Sequence, residues 1–117
     1  MTTPPRRREV WLVDFEPAIG AEIRKIRPAV VINEDEVGRL PLRIIVPLTD
    51  WKPAFAPHSW FVLVPSTTEN GLRKASAADT FQIKSISLDR FRRKLGVISE
   101  DHADEIAEAI ANGVGAP

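Results

Sequence analysis

The chain has no cysteine and no tyrosine, one methionine and two histidines among its 117 residues. Without cysteine, a disulfide framework and a thiolate-ligated metal are both excluded. His58 and His102 each lack a second His or a carboxylate at ligand spacing, so a histidine-built metal centre has no support. No apolar run approaches the ~20 residues that span a bilayer. The arginine-bearing start, Met1 to Arg8, has no apolar segment behind it; it does not read as a secretory signal, and cytoplasmic residence without a membrane partner is expected. Phosphate-binding G-x-x-x-x-G-K-S/T and G-x-G-x-x-G loops are missing, as is a serine nucleophile elbow. No cofactor is indicated.

What is present is the composition of one soluble domain, 44% hydrophobic and 27% charged. Residues 1–8 read as a flexible extension and 9–117 as a single domain. Formal net charge is zero, but its distribution is uneven. All 16 basic residues lie before position 100, whereas Glu100, Asp101, Asp104, Glu105 and Glu108 follow it. The first 99 residues therefore carry a surplus of five positive charges, which permits an anionic ligand without demanding one.

Short β-type runs bounded by turn residues dominate. Val10–Phe15, Pro28–Asn33, Leu42–Leu48, Ser59–Val64, Phe81–Ser87 and Leu95–Ile98 read as strands, and Asn70-Gly71 as a turn. Only the C-terminus has helical period: Ala103, Ile106, Ala107, Ile110 and Ala111 mark one apolar face of a helix over 99–112. Ser99 is its expected N-cap, and Asn112-Gly113 its stop. The fold class is mainly β, a small and strongly curved sheet with one helix laid against it. Trp11, Phe61 and Phe81 read as core, and the run Arg90, Arg92, Arg93, Lys94 as a solvated face.

Chemistry concentrates in Arg24-Lys25-Ile26-Arg27-Pro28-Ala29-Val30-Val31-Ile32, where a glycine-containing loop gathers three cations and runs into a buried-looking strand. Arg27 stands at the start of that strand with a planar fork of donors suited to phosphate. An ordinary surface arginine is an equal reading of the stretch. Glu22 shares the loop, Thr49 and Asp50 end the third strand, and Gln82 and Lys84 lie along a later one. Sequential strands are usually neighbours, which would bring Thr49 near Arg27. Taken alone, Thr49 reads more simply as the start of a turn before Trp51-Lys52-Pro53.

The order and spacing of several segments resemble the MazF/PemK (Kid) toxin family of bacterial type II toxin–antitoxin modules. They are Glu9–Pro17 with W-x-V-D-F-x-P, Gly20–Ile32 with G-x-E-x-x-K-x-R-P-A-V-V, and Leu40-Pro41-Leu42 leading to Val46-Pro47-Leu48-Thr49. Glu69-Asn70-Gly71-Leu72 and Asp79–Ile86 continue the match, which covers nearly the whole chain beyond the extension. The resemblance implies an SH3-like or CcdB-like small barrel with a C-terminal helix, a homodimer, and a cognate antitoxin with a disordered acidic tail. It implies metal-independent, sequence-specific cleavage of single-stranded RNA, leaving a 2′,3′-cyclic phosphate and a 5′-hydroxyl. Carried onto this chain, the active-site pair is Arg27 and Thr49, with Glu22 as a third catalytic residue and candidate proton carrier.

Phe15, Gly20, Arg24, Lys25, Gln82 and Lys84 are expected to contact RNA. Phe15 or Trp51 would stack on bases, and Arg73 and Lys74 would track phosphates. One departure is Ala21, where family members commonly have Ser. Two other readings compete: a CcdB-like toxin that binds a protein without catalysis, and a family member that has lost activity.

Overall fold

The computed structural model describes residues 3–36 and 40–117. Its strands are β1 Glu9–Asp14, β2 Ile26–Val31, β3 Leu42–Asp50, β4 Phe61–Val64, β5 Ser76–Asp79, β6 Lys84–Ser87 and β7 Phe91–Val97, followed by helix α1, Glu100–Gly113. Spatial order is β4-β5-β3-β2-β1-β7, with β6 paired to β3 off that path. Every pairing is antiparallel. This is the mainly β architecture with a C-terminal helix that the sequence pattern implies.

The long strand β3 organises the sheet. Its first half pairs with β6, from Leu42↔Ser87 to Ile45↔Lys84, and with β2, from Val31↔Ile45 to Ala29↔Pro47. Its last three residues pair with β5 instead, from Leu48↔Ala78 to Asp50↔Ser76. Pro28 would be the next residue of β2 to hydrogen-bond with β3, opposite Leu48, and it has no N–H to donate. Pairing stops there, and the two strands part.

Alternation of side chains gives the sheet two faces. One carries Val10, Val30, Val46, Leu48, Val62, Val64 and Ala78, which pack with Ala103, Ile106 and Ala109 of α1. The other gathers Trp11, Val13, Phe15, Ala29, Val31, Ile45 and Ile86. The helix starts where expected: Ser99 Oγ accepts a hydrogen bond from His102 N at 3.1 Å, with Glu100 and Asp101 in the first turn. That cap satisfies one free N–H, and the two carboxylates oppose the positive end of the dipole.

Several elements differ from the sequence reading. Ser76–Asp79 is a strand that the pattern did not mark, because its residues are small; all four are buried between β3 and β4, where small side chains fit. The strand expected over Phe81–Ser87 begins only at Lys84, since Thr80–Gln82 forms a 3₁₀ turn capped by Asp79. That turn holds Phe81 outward, 77% exposed, so it is not core. Phe61 is half-buried, its ring stacked on Phe55 at 4.0 Å.

The last strand, Phe91–Val97, begins earlier than the expected Leu95–Ile98 and takes in Arg92, Arg93 and Lys94 of the basic run, while Arg90 ends the 3₁₀ turn before it. Arg92 pairs with Asp14 and Lys94 with Glu9 of β1, both at 3.0 Å. These cross-strand ion pairs explain why so charged a segment is a strand. At the N-terminus, Pro5 is buried, Arg8 N donates to Val31 O at 2.8 Å, and Arg8 O accepts from Ile98 N at 2.9 Å. Residues 1 and 2 of the extension lie outside the described residues.

Candidate active site

The β1–β2 connection is a hairpin loop held by its own carboxylates. Phe15 N donates to Lys25 O at 2.9 Å, closing the loop at its base. Glu16 accepts from Ala18 N at 3.2 Å and from Lys25 N at 3.1 Å. Glu22 Oε1 accepts from Ile19 N at 2.7 Å, while Glu22 N donates to Ile19 O, so residues 19–22 form a tight turn. Gly20, at φ +60°, sits inside that turn in the left-handed region that glycine adopts without cost. Lys25 adopts φ +68° with a side chain attached, which costs roughly 1–2 kcal/mol.

Arg27 is exposed on β2, and its Nε donates to Arg24 O at 3.3 Å. This contact orients the guanidinium and leaves both terminal nitrogens for a ligand. Arg24 is tied in turn, donating to Ala18 O at 3.0 Å and lying 4.0 Å from Glu16. The last β2–β3 rung is Ala29↔Pro47. Continuing that register by two residues on each strand sets Arg27 level with Thr49, on the same face, where the strands have parted. Thr49 is half-buried and is held in place from its other side by β5, opposite Ala77.

The same face carries Lys84, which lies opposite Ile45 on β6, and Asp79, two positions beyond Ala77 on β5. Asp79 is 8% exposed. Burial pushes its carboxyl above the usual carboxylate range, against the opposing pull of hydrogen bonds from Phe81 N and Gln82. Gln82 Nε2 donates to Asp79 Oδ2 at 3.2 Å, and its Oε1 accepts from Ile23 N at 2.6 Å. Gln82 therefore bridges the turn after β5 to the arginine loop, across 59 positions of sequence.

Two assigned RNA contacts differ from expectation. Phe15 is 1% exposed within the core face, so it offers no stacking surface. Gln82 has both ends of its amide engaged in the scaffold. Gly20, Glu22, Arg24, Lys25 and Arg27 are exposed on the loop and strand end, and Lys84 is half-buried on the same side. Trp51 is half-buried with its ring edge-on to Phe55. Asp79 was given no role from sequence; the Asp79-x-x-Gln82 spacing that opens a turn was the available signal.

The model of the family described as PemK-like, MazF-like toxin of type II toxin–antitoxin system matches residues 6–114. Endoribonuclease MazF9 of Mycobacterium tuberculosis is 33% identical over 111 residues, covering 90% of this chain and 92% of that protein. Among solved structures, MazF from Deinococcus radiodurans superposes with a TM-score of 0.81 at 19% identity, over 97% of this chain and 99% of the other. A mycobacterial endoribonuclease bound to its cognate antitoxin superposes at 0.75 with 17% identity, over 97% of each chain. With a family match over residues 6–114 and a relative at one-third identity covered over nine-tenths of its length, the chain belongs to the PemK-like, MazF-like toxins of type II toxin–antitoxin systems.

Proposed function

We propose that this chain is an endoribonuclease toxin that cuts single-stranded RNA at specific sequences, using Arg27 and Thr49. The observation that carries the reading is the shared face and register of these two residues at the open end of the β2–β3 ladder, beside a cationic loop. In the reaction a ribose 2′-oxygen attacks the adjacent phosphorus as the bond to the 5′-oxygen breaks. A 2′,3′-cyclic phosphate forms on one fragment and a 5′-hydroxyl on the other. Negative charge builds on the non-bridging oxygens, where a positioned guanidinium stabilises it without reorganising. The Thr49 hydroxyl donates a second hydrogen bond to the same oxygens.

Two protons must move, off the 2′-hydroxyl and onto the leaving oxygen. Arginine stays protonated at neutral pH, so it is a poor base. Glu22 is the assisting carboxylate in this reading; it must exchange its contact with Ile19 N for one with the substrate. Phosphates flanking the cut are met by Arg24, Lys25 and Lys84. Because Arg27 answers the charge on the non-bridging oxygens, cleavage needs no metal in this reading.

The relatives solved with an antitoxin bound support a cognate antitoxin for this chain as well. An acidic tail would occupy the same exposed cations and compete with RNA. A homodimer in the cytoplasm is the working assembly.

The test is incubation of purified protein with a long RNA in EDTA, with the cut ends mapped. Defined internal cuts bearing cyclic phosphates are expected, and Arg27→Ala should slow them roughly 10²–10³-fold, the loss of one oxyanion-type donor. Intact RNA, or a variant that cuts at the wild-type rate, refutes the assignment.

A further inference from the structure

Through the sheet from Arg27 and Thr49 lies a cavity of about 300 Å³, lined by Leu12, Pro28, Leu72, Leu95, Arg73 and Arg93 among others. We propose that it is a second nucleotide subsite, seating one base and the phosphate beside it, on the strand whose scissile linkage lies at Arg27. The inference rests on the nuclease reading and adds a place where sequence context is read.

The floor is a row of cross-strand neighbours. Arg93, Leu12 and Pro28 face one another in register on β7, β1 and β2. Val10 and Val30, on the same face, are fully buried in the cluster that includes the helix, whereas Leu12 and Pro28 are only half-buried. The helix thus leaves an apolar strip uncovered at this end.

The rim is cationic. Arg73 and Arg93 are exposed and form no ion pair among the described residues. Lys74 lies 3.6 Å from Asp50, but both side chains are largely exposed, and such a pair opens at little cost. An apolar floor with arginines at its edge suits a base face and its phosphate, and guanidinium planes also stack on bases. The volume fits one planar group, not an extended peptide, which favours RNA over an acidic protein tail.

The wall is preformed. A Cβ on Gly71 would lie 2.1 Å from Leu95 O, so the turn rests directly against β7. The buried side chain of Asn70 accepts from Thr67 N and Leu72 N and donates to Pro65 O, fixing that turn. Two lining residues, Pro28 and Asp50, directly follow Arg27 and Thr49 in the chain. Successive strand residues face opposite sides of the sheet, so the RNA reaches the cavity by passing round the open end of the β2–β3 ladder, more than one nucleotide from the cut.

The test uses an RNA oligonucleotide built around a mapped cut, its non-cleavable 2′-O-methyl form, and two variants. Arg73→Ala/Arg93→Ala removes the rim charges, and Leu12→Trp fills the floor. For the double variant, weaker binding of the 2′-O-methyl oligonucleotide is expected, with a salt slope shallower by about 1 to 2. For Leu12→Trp, a loss of about 5- to 100-fold is expected, the worth of one seated base. The deficit should appear in KM and shrink as the oligonucleotide is trimmed toward the cut.

Wild-type affinity and slope in both variants overturn the proposal. So does a loss confined to self-association or to binding an acidic peptide, which assigns the cavity to a second copy or a protein partner. If Arg27→Ala cuts RNA at the wild-type rate while the two cavity variants still bind the 2′-O-methyl probe more weakly, the assignment of the cut to Arg27 fails and the subsite stands.

Discussion

Replacing Gln82 with alanine separates a residue that positions the loop from one that touches substrate. The substitution removes two hydrogen bonds, one from Ile23 N at 2.6 Å and one to Asp79 at 3.2 Å. A neutral hydrogen bond contributes about 0.5–1.5 kcal/mol net and one to a charged group about 1.5–3, so the combined loss is about 2–4 kcal/mol with Asp79 ionised. At about 3–6 °C per kcal/mol for a chain of this length, the melting midpoint should fall by about 6–24 °C. The catalytic cost is separate from the stability cost. Ile23 is next to Arg24, whose carbonyl holds Arg27 Nε, so freeing Ile23 loosens the carbonyl that aims the guanidinium. A 1 Å misplacement costs on the order of 10²-fold in rate. Measured well below the lowered melting point, kcat should fall about 10- to 100-fold while KM moves little. Gln82→Glu keeps the acceptor for Ile23 but places a second carboxylate beside Asp79. Its activity should therefore recover as pH is lowered and one of the pair takes a proton. Full kcat in Gln82→Ala, or an altered base preference at unchanged kcat, refutes the positioning role and returns Gln82 to direct RNA contact.

Ile106→Ala, at a fully buried position between helix and sheet, should cost about 2–5 kcal/mol in denaturant melts without altering the cleavage sites. Gly96→Ala should destabilise strongly, since its Cβ would lie 2.2 Å from Glu69 O; a melting point near wild type would show that the turn over residues 69–71 can move away. The pH dependence of stability should contain two opposed parts. Asp79 has a raised carboxyl, so its folded form binds the proton more tightly than the unfolded chain, and stability is lost as pH rises from 3.8 through the raised value. Glu9 is opposite: burial raises its carboxyl, but hydrogen bonds from Arg6 N, Trp11 and Lys94 outweigh burial and hold it low, so its contribution is lost as pH falls below 4.5. Denaturant midpoints across pH 3–7 check both: Asp79→Asn should flatten the first trend and Glu9→Gln the second.

Much of the fold was legible because burial imposes period. The Ala/Ile stripe and Ser99 cap placed the helix to within a residue or two, and the strands of the first 64 residues were located with shifted ends. The failures share a cause. Ser76–Asp79 carries no β-branched or aromatic residue, and its strand identity comes from being enclosed by β3 and β4. Phe81 looked like core by residue type, yet the Asp79 cap turns the chain just before it. Arg92, Arg93 and Lys94 are exposed as read, but their place in a strand was hidden because the partners of Arg92 and Lys94, Asp14 and Glu9, lie more than 75 residues away. Each depends on a tertiary neighbour that local pattern does not contain.

The site divides along the same line. The alignment of Arg27 with Thr49 was legible because β2 and β3 are consecutive and adjacent, and a register need only be continued to bring the two level. The Asp79–Gln82–Ile23 link was not, since nothing local to Gln82 distinguishes a base-reading amide from one that clamps a loop. Pro28 is the residue where sequence and site meet most directly. It restricts Arg27 to extended backbone, as a proline does to the residue before it. Lacking an N–H, it also ends the ladder that would otherwise cover the neighbouring strand with backbone pairing. A single imino acid thus extends the segment that carries the guanidinium and lets β2 and β3 part beside Thr49, the arrangement on which the proposed attack on a phosphodiester depends.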